Sequence, residues 1–392
     1  MASLRRVSTL RPLPIGPGRA AHEALPALRE AVEGGPAVLP YAAGGSPVQV
    51  PDGATPDSGT ALVVGTSGST GTPKLAMLPG SSLVASATAT HERLGGPGTW
   101  LLSMPPHHIA GVQVLVRSVV AGTTPGFVEL EGGFTAASFV RAARALGGER
   151  RYTALVPTQL VRLLDDGAAT SALTTFDAVL VGGAASAPSL LTRASDAGVR
   201  VVTTYGMSET SGGCVYDGVP LSVSRVRADE LGRLVLGGAT LATGYLGRPD
   251  LTAEVFTTDD DGERWFRTND AGHLDPATGR WHVDGRLDDV ITTGGLKVAP
   301  RLVEDALLAL PVVGEAVVVG VPDDRWGEAV AAAVVVRAGA PAPTLEQLRD
   351  GLRGGLADHA LPRRLLVVDR LPQRGPGKPD RAGIAGLFTS GP

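Results

Sequence analysis

Cysteine is almost absent from this chain, with Cys214 the only one in 392 residues. That excludes an intramolecular disulfide and any cage of thiolates around a metal. Long hydrophobic runs are absent as well. No apolar stretch approaches the roughly 20 residues that a membrane-spanning helix needs, so no membrane partner is expected. Charge of one sign is lacking too. A formal net charge of −4 gives no electrostatic reason to expect nucleic acid or an anionic surface as partner. Lysine is the last scarcity. Of the 35 lysines and arginines, only Lys74, Lys297 and Lys378 are lysine, so a compact ammonium is expected to be needed where those three stand.

What is present is the balance of a folded protein. Hydrophobic residues are 43% and charged residues 19%, and the length allows two or three domains around a large core. The first residues, M-A-S-L-R-R-V-S-T-L, are basic and acid-poor in the manner of a transit peptide. Pro12, Pro14 and Pro17 soon interrupt any helix there, so a frayed terminus and a cytoplasmic location are expected.

Strand and helix patterns alternate, which predicts an α/β fold. Short apolar runs predict strands at 61–66, 99–104, 152–157, 177–182 and 199–206, with a helix over 134–146 between two of them. From about 231 the pattern turns to short strands with frequent turns, a β-rich subdomain. A final unit follows Gly285, with helices near 300–309 and 344–356 and strand runs at 314–321 and 330–337. The expected organisation is a large α/β domain over 1–284 and a small, mobile α+β domain over 285–392.

Directly after the 61–66 strand stands T-S-G-S-T-G-T-P-K (66–74). Small residues let the backbone turn its N–H groups toward phosphate oxygens, and hydroxyls and Lys74 add donors and charge. The string is not the P-loop pattern, because Pro73 separates Gly71 from the lysine and no hydroxyl residue follows. Further on stand G-G-A (182–184), Y-G-M-S-E-T (205–210), W-F-R-T-N-D-A-G-H-L-D (265–275), G-R-L-D-D-V-I-T-T-G-G-L-K-V-A-P (285–300) and L-P-Q-R-G-P-G-K-P-D-R (371–381). Taken singly, Tyr205 would be ordinary packing, R-x-D-D a solvated loop and the last string a basic tail. Together, in this order, they resemble the motifs of the acyl-adenylate-forming enzymes: acyl-CoA synthetases, luciferases and peptide-synthetase adenylation domains.

That resemblance implies ATP, Mg²⁺ and coenzyme A as cofactors and co-substrates, a small carboxylic acid as substrate, and no nucleic acid. The chain could act alone or as a homodimer. Thr66, Ser67, Gly68, Ser69, Thr70, Gly71, Thr72 and Lys74 would cradle phosphates. Gly182, Gly183 and Ala184 would lie beside adenine, with Tyr205 stacked on it and Gly206 following. Glu209 would hold Mg²⁺ and Thr210 would bond the α-phosphate, a hard carboxylate for a hard cation and a hydroxyl for a phosphate oxygen. Asp270 would bind both ribose hydroxyls, although the family more often has Gly where this chain has Asn269. Arg286 would reach ribose or phosphate, and Asp288 would be the hinge. Lys297 matches a basic position near the phosphate or thioester-forming site, and Lys378 matches the lysine that bridges acyl carboxylate and α-phosphate.

The acyl pocket is expected behind S-M-P-P-H-H-I-A-G-V-Q-V-L-V-R-S-V-V-A-G-T (103–123), with His108 at its gate. Arg117, in an apolar helical run, would either pair structurally or bind a second carboxylate on the substrate. This stretch and the G-P-G-K ending resemble one branch of the superfamily, the o-succinylbenzoate–CoA ligases of menaquinone biosynthesis in their actinobacterial form. The alternatives are a CoA ligase for another aryl or medium-chain acid, and an adenylation enzyme that loads a separate carrier protein. A degenerate nucleotide-binding scaffold would expect losses in the motifs, and Glu209, Asp270, Arg286 and Lys378 are all present.

Overall fold

The computed structural model describes residues 9–66, 74–337, 339–375 and 378–389. The chain divides into two compact units. The first takes the chain up to Ser186, then Arg193–Arg227 and Val235–Thr268; the second takes Ala187–Thr192, Ala228–Leu234 and the chain from Asn269 onward.

In the first unit the short apolar runs become the centre of a seven-stranded sheet. Thr99–Leu102, Arg151–Leu155, Ala178–Gly182 and Val201–Met207 lie side by side and parallel. Ala178, Val179, Leu180 and Val181 are all buried. A strand covered on both faces has no polar side to alternate, which is why these segments read as continuous runs. Gly212–Tyr216 then turns back antiparallel on Val201–Met207. The expected strand over 152–157 stops at Leu155, because Pro157 opens the helix Pro157–Leu164, a place where the missing N–H costs nothing. A second sheet places Leu10–Ile15, Ala37–Ala42, Thr60–Thr66, Lys74–Pro79 and Gly244–Tyr245 in that order.

Helices Gly80–Leu94 and Ile109–Ala121 are closed by Gly95 and Gly122, both left-handed at φ 95° and 67°. Glycine takes that conformation without a Cβ penalty and frees the last carbonyls to be capped. On the second helix Val112, Val114, Leu115 and Val116 are buried in one core with Trp100, Leu102 and Tyr152. Each such aliphatic side chain contributes about 1.5–3 kcal/mol relative to exposure.

In the second unit the hairpin Val313–Asp323/Gly327–Val336 carries the fold. Val318, Val330, Ala332 and Val334 join one core with Val303, Leu307, Leu348 and Leu352 of the helices Pro300–Leu308 and Leu345–Leu352. Val317, Val319, Val321, Ala331 and Ala333 face the other way, into a second core with Ile384 of the helix Arg381–Thr389. The period-2 alternation of a strand thus feeds two cores, and V-A-A-A-V-V-V is apolar at every position for that reason. Both expected helices of this unit are present, the second ending at Leu352. No helix among the described residues is long and apolar enough to cross a membrane.

Candidate active site

In the first unit the phosphate-type loop leaves and re-enters the sheet at adjacent positions. Thr66 pairs with Lys74 across an antiparallel register; Ser67, Gly68, Ser69, Thr70, Gly71 and Thr72 lie outside the described residues. The Lys74 ammonium stands 5.5 Å from the centroid of the Tyr245 ring, within cation–π reach. Tyr245 is placed there because Gly244–Tyr245 pairs with Ala76 and Met77 of the Lys74 strand. Its hydroxyl donates to Glu209 Oε1 at 2.7 Å. Burial first, and then the Glu209 carboxylate, push the Tyr245 phenol far above its ordinary range, so it stays a proton donor. Lys74, Tyr245 and Glu209 therefore form a chain from the loop's end to the central motif. No motif quoted from the sequence includes Tyr245, so its part in the site appears only in the fold.

Val201–Met207 carries Tyr205 and Gly206, and a single 3-10 turn, Ser208–Thr210, follows. Glycine is required at 206. A Cβ there would lie 2.1 Å from the Gly212 carbonyl oxygen, so the two strands can approach only without a side chain. The same holds at Gly182, whose Cβ would meet Thr204 Oγ1 at 2.2 Å, and Gly183 is left-handed at φ 82°. The turn buries Glu209 and Thr210. Thr210 Oγ1 accepts from the Met207 N–H at 3.0 Å and lies 2.7 Å from the Gly212 carbonyl. That hydroxyl closes its own turn, and reaching a phosphate would mean giving up the Gly212 bond. Ala184 is partly exposed just beyond Gly183.

His108 is the exposed N-cap of the helix Ile109–Ala121, with its ring 4.4 Å from that of His107. Burial holds His107 below the usual imidazole range. One turn further along, Gln113 donates to the Ser211 carbonyl, next to Thr210. Four residues on, Arg117 is 4% exposed. Its Nη2 donates to the Tyr216 hydroxyl at 3.1 Å, and its guanidinium carbon lies 4.9 Å from the Trp100 ring centroid. Arg117 Nε is buried without an acceptor, and no carboxylate among the described residues ion-pairs with Arg117. An arginine at this depth ordinarily has such a partner.

In the second unit Asp270 pairs across the hairpin with Arg286, and their charged groups approach to 3.9 Å. Arg286 holds Asp288 through two hydrogen bonds, Nε to Oδ1 at 2.8 Å and Nη2 to Oδ2 at 2.6 Å. Burial raises the Asp288 carboxyl, and the hydrogen bonds and charge of Arg286 outweigh it, leaving the group below its ordinary range. Asn269, where the family pattern more often has glycine, contributes as well. It accepts from Arg233 Nη1 at 2.9 Å and hydrogen-bonds Asp288. The motif resemblance gives Arg286 and Asp288 separate functions, whereas in the fold one grips the other. Lys297 is exposed and pairs in register with Thr292. Lys378 is exposed at the start of Lys378–Pro379, opposite Gly375.

Residues 20–242 match the AMP-binding enzyme family and residues 302–378 match the AMP-binding enzyme C-terminal domain. The chain belongs to the AMP-binding enzyme family. It is 51% identical, over 85% of its length and 86% of the relative's, to a protein of Mycobacterium tuberculosis (strain ATCC 25618 / H37Rv) named "Probable 2-succinylbenzoate--CoA ligase". It is 30% identical, over 80% of its length and 66% of the relative's, to the 2-succinylbenzoate–CoA ligase of Geobacillus sp. (strain WCH70). Its fold is that of the Bacillus subtilis o-succinylbenzoate CoA synthetase solved with the acyl-adenylate OSB-AMP. The TM-score is 0.73 at 22% identity, covering 97% of this chain and 88% of that one.

In this AMP-binding enzyme no group of three His, Cys, Asp or Glu among the described residues could cage a metal ion. Glu209 alone suits Mg²⁺, which keeps waters and takes phosphate oxygens as ligands alongside one or two carboxylates. The buried Glu209 carboxylate, with Tyr245 fixing one oxygen, is a donor of the right hardness.

Proposed function

We propose that this enzyme is an ATP-dependent acid–CoA ligase. It activates 2-succinylbenzoate as the acyl-adenylate, releases pyrophosphate, and passes the acyl group to coenzyme A. Identity of 51% across most of both chains supports the family branch. The observation in this molecule that carries the substrate reading is the buried Arg117, which has no carboxylate partner among the described residues. Leaving a cation unpaired in the interior costs several kcal/mol. The Trp100 face returns about 2 kcal/mol when desolvated, and the Tyr216 hydrogen bond about 1.5–3 kcal/mol. A ligand carboxylate would satisfy the rest, and a diacid brings a second carboxylate that adenylation does not consume.

In this reading the substrate's reacting carboxylate attacks the α-phosphorus of ATP in line with the departing pyrophosphate. Mg²⁺ bound at Glu209 would neutralise phosphate charge. Tyr245 orients the Glu209 carboxylate, Lys74 and the 66–72 loop hold the phosphates, and Tyr205 and the 182–184 turn hold the base. Asp270 takes the ribose. Lys378 supplies the charge that joins the two reactants, so that positioning and charge stabilisation do the work and no protein nucleophile is needed. Coenzyme A thiolate then attacks the acyl carbon and AMP leaves, with Lys297 serving that step and Asp288 as the hinge of the small domain.

Pyrophosphate release by the purified enzyme with MgATP tests this, using 2-succinylbenzoate beside benzoate, octanoate and amino acids, with and without coenzyme A. Strong turnover of 2-succinylbenzoate to a CoA thioester is expected. Turnover confined to another acid would keep the reaction and overturn the substrate, and acyl transfer only to a carrier protein would overturn the acceptor.

A further inference from the structure

The string that contains Lys378 ends in an arginine for which the reaction scheme has no use. Arg381 is the first residue of the helix Arg381–Thr389, three positions after Lys378. Between them, Asp380 caps that helix by accepting from the Gly383 N–H at 3.2 Å, and its own N–H donates to the Pro372 carbonyl at 2.9 Å. The Lys378 segment is therefore pinned to whatever holds the start of this helix.

Arg381 is what holds it, at three points. Nη1 and Nη2 reach the two carboxylate oxygens of Glu304, at 2.7 and 3.1 Å. Nη1 also donates to the Val318 carbonyl at 2.6 Å. Nε faces Asp289 Oδ2 at 3.0 Å. Glu304 is itself fixed, since its Oε1 accepts from the Val318 N–H at 2.8 Å. One planar guanidinium thus joins the helix Pro300–Leu308, the edge strand Val313–Asp323 and the turn Leu287–Asp289 that contains the hinge Asp288. Lysine could not reproduce this, because its three donors sit on one nitrogen and the four acceptor oxygens here are spread over three residues.

We infer that Arg381 is the positioning residue for Lys378: its bonds to Glu304 and Val318 fix the segment 378–381 that carries the lysine, and its bond to Asp289 ties that segment to the hinge turn. The inference rests on the assignment of Lys378 to adenylation, and the test separates the two.

Adenylation is followed as pyrophosphate release without coenzyme A. The second half-reaction is followed as thioester formation from supplied acyl-adenylate. The variants are Arg381→Lys, Asp289→Asn, Lys378→Ala and the double variant Lys378→Ala/Arg381→Lys, with circular dichroism to check the fold. Misplacing a reacting group by about an ångström costs on the order of 100-fold, so Arg381→Lys is expected to slow adenylation about 10- to 100-fold at nearly unchanged KM for ATP. Thioester formation should stay within about twofold of the parent, and adding Arg381→Lys to Lys378→Ala should cost nothing further, because a positioning residue has no effect once its target is gone. Should Arg381→Lys fail to fold, Asp289→Asn removes one of the three attachments and is expected to slow adenylation about 3- to 10-fold with the same selectivity. Equal losses in both half-reactions, or a full further loss in the Lys378→Ala background, would overturn the inference in favour of a merely structural arginine. So would parental adenylation in Arg381→Lys and Asp289→Asn while Lys378→Ala collapses. Parental adenylation in Lys378→Ala would instead remove the assignment of Lys378, and the inference with it.

Discussion

Arg117 is where the sequence named a residue and left its purpose open between structural pairing and substrate binding. Its hydrogen-bond partner Tyr216 lies 99 positions away, beyond what spacing along a helix can reveal. Arg117→Met keeps the apolar stem and removes the charge. If the charge receives the second carboxylate, KM for 2-succinylbenzoate should rise about 10- to 100-fold, the worth of one charge-assisted bond, while turnover of benzoate is unchanged. Steady-state kinetics on the two acids distinguishes this from a packing defect, which would harm both. The same guanidinium acts on His91. Trp100 Nε1 donates to His91 Nε2 at 3.2 Å, which requires that nitrogen to carry no proton. Burial, and then the charge of Arg117, lower His91 to about 4. An unfolded imidazole titrates near 6.5, so between those values the unfolded chain binds the proton that the folded chain refuses. Stability therefore rises with pH across that window and is lost as pH falls through it, by on the order of 2 kcal/mol. Urea midpoints at about pH 5 and pH 7 should differ accordingly, and the difference should shrink in His91→Gln, which accepts from Trp100 without titrating. Tyr245 and Asn269 show the limit of single-residue reading. Each acts through a side chain 36 positions or one strand away, and nothing in its own neighbourhood announces the partner.

Elements were far more legible than contacts. The parallel strands could be read from apolar runs because burial on both faces leaves no alternation, and the helices from their periodicity. Their ends followed local chemistry less visible in the pattern, such as Pro157 starting a helix where a strand was expected to continue. What the strings could not give is why glycine recurs in them. At Gly206 the answer is the 2.1 Å between a would-be Cβ and the Gly212 oxygen. Gly206→Ala must force apart the strand that carries Tyr205 and the one that follows it, and a loss of about 3 kcal/mol is expected. Gly147→Ala, where nothing lies within 4 Å of the added carbon, should change stability by less than about 0.5 kcal/mol. Chemical denaturation of the two variants beside the parent checks the contrast.

Across the whole molecule, the assigned residues divide between two units. Lys74, Tyr205, Glu209 and Thr210 lie in the first, and Asp270, Arg286, Lys297 and Lys378 in the second. The order of the motifs was readable from the sequence, as was the existence of a separate small unit, because that unit has its own hairpin and its own two cores. Lys378→Ala should slow adenylation at least about 100-fold and leave thioester formation from supplied acyl-adenylate near the parental rate; loss of both half-reactions in a folded variant would end that assignment. The scarcity of lysine also has a chemical consequence. An acyl-adenylate is a mixed anhydride and acylates amines, and this enzyme offers it few. Lys297 and Lys378 are exposed and Lys74 is half-buried over the Tyr245 ring. An intermediate that escapes toward solvent thus meets a surface on which arginine, protonated and a poor nucleophile, has replaced nearly every side-chain amine. Side-chain acylation by an escaped intermediate is thereby confined to three identified positions, which an amine-selective reagent can report on one by one.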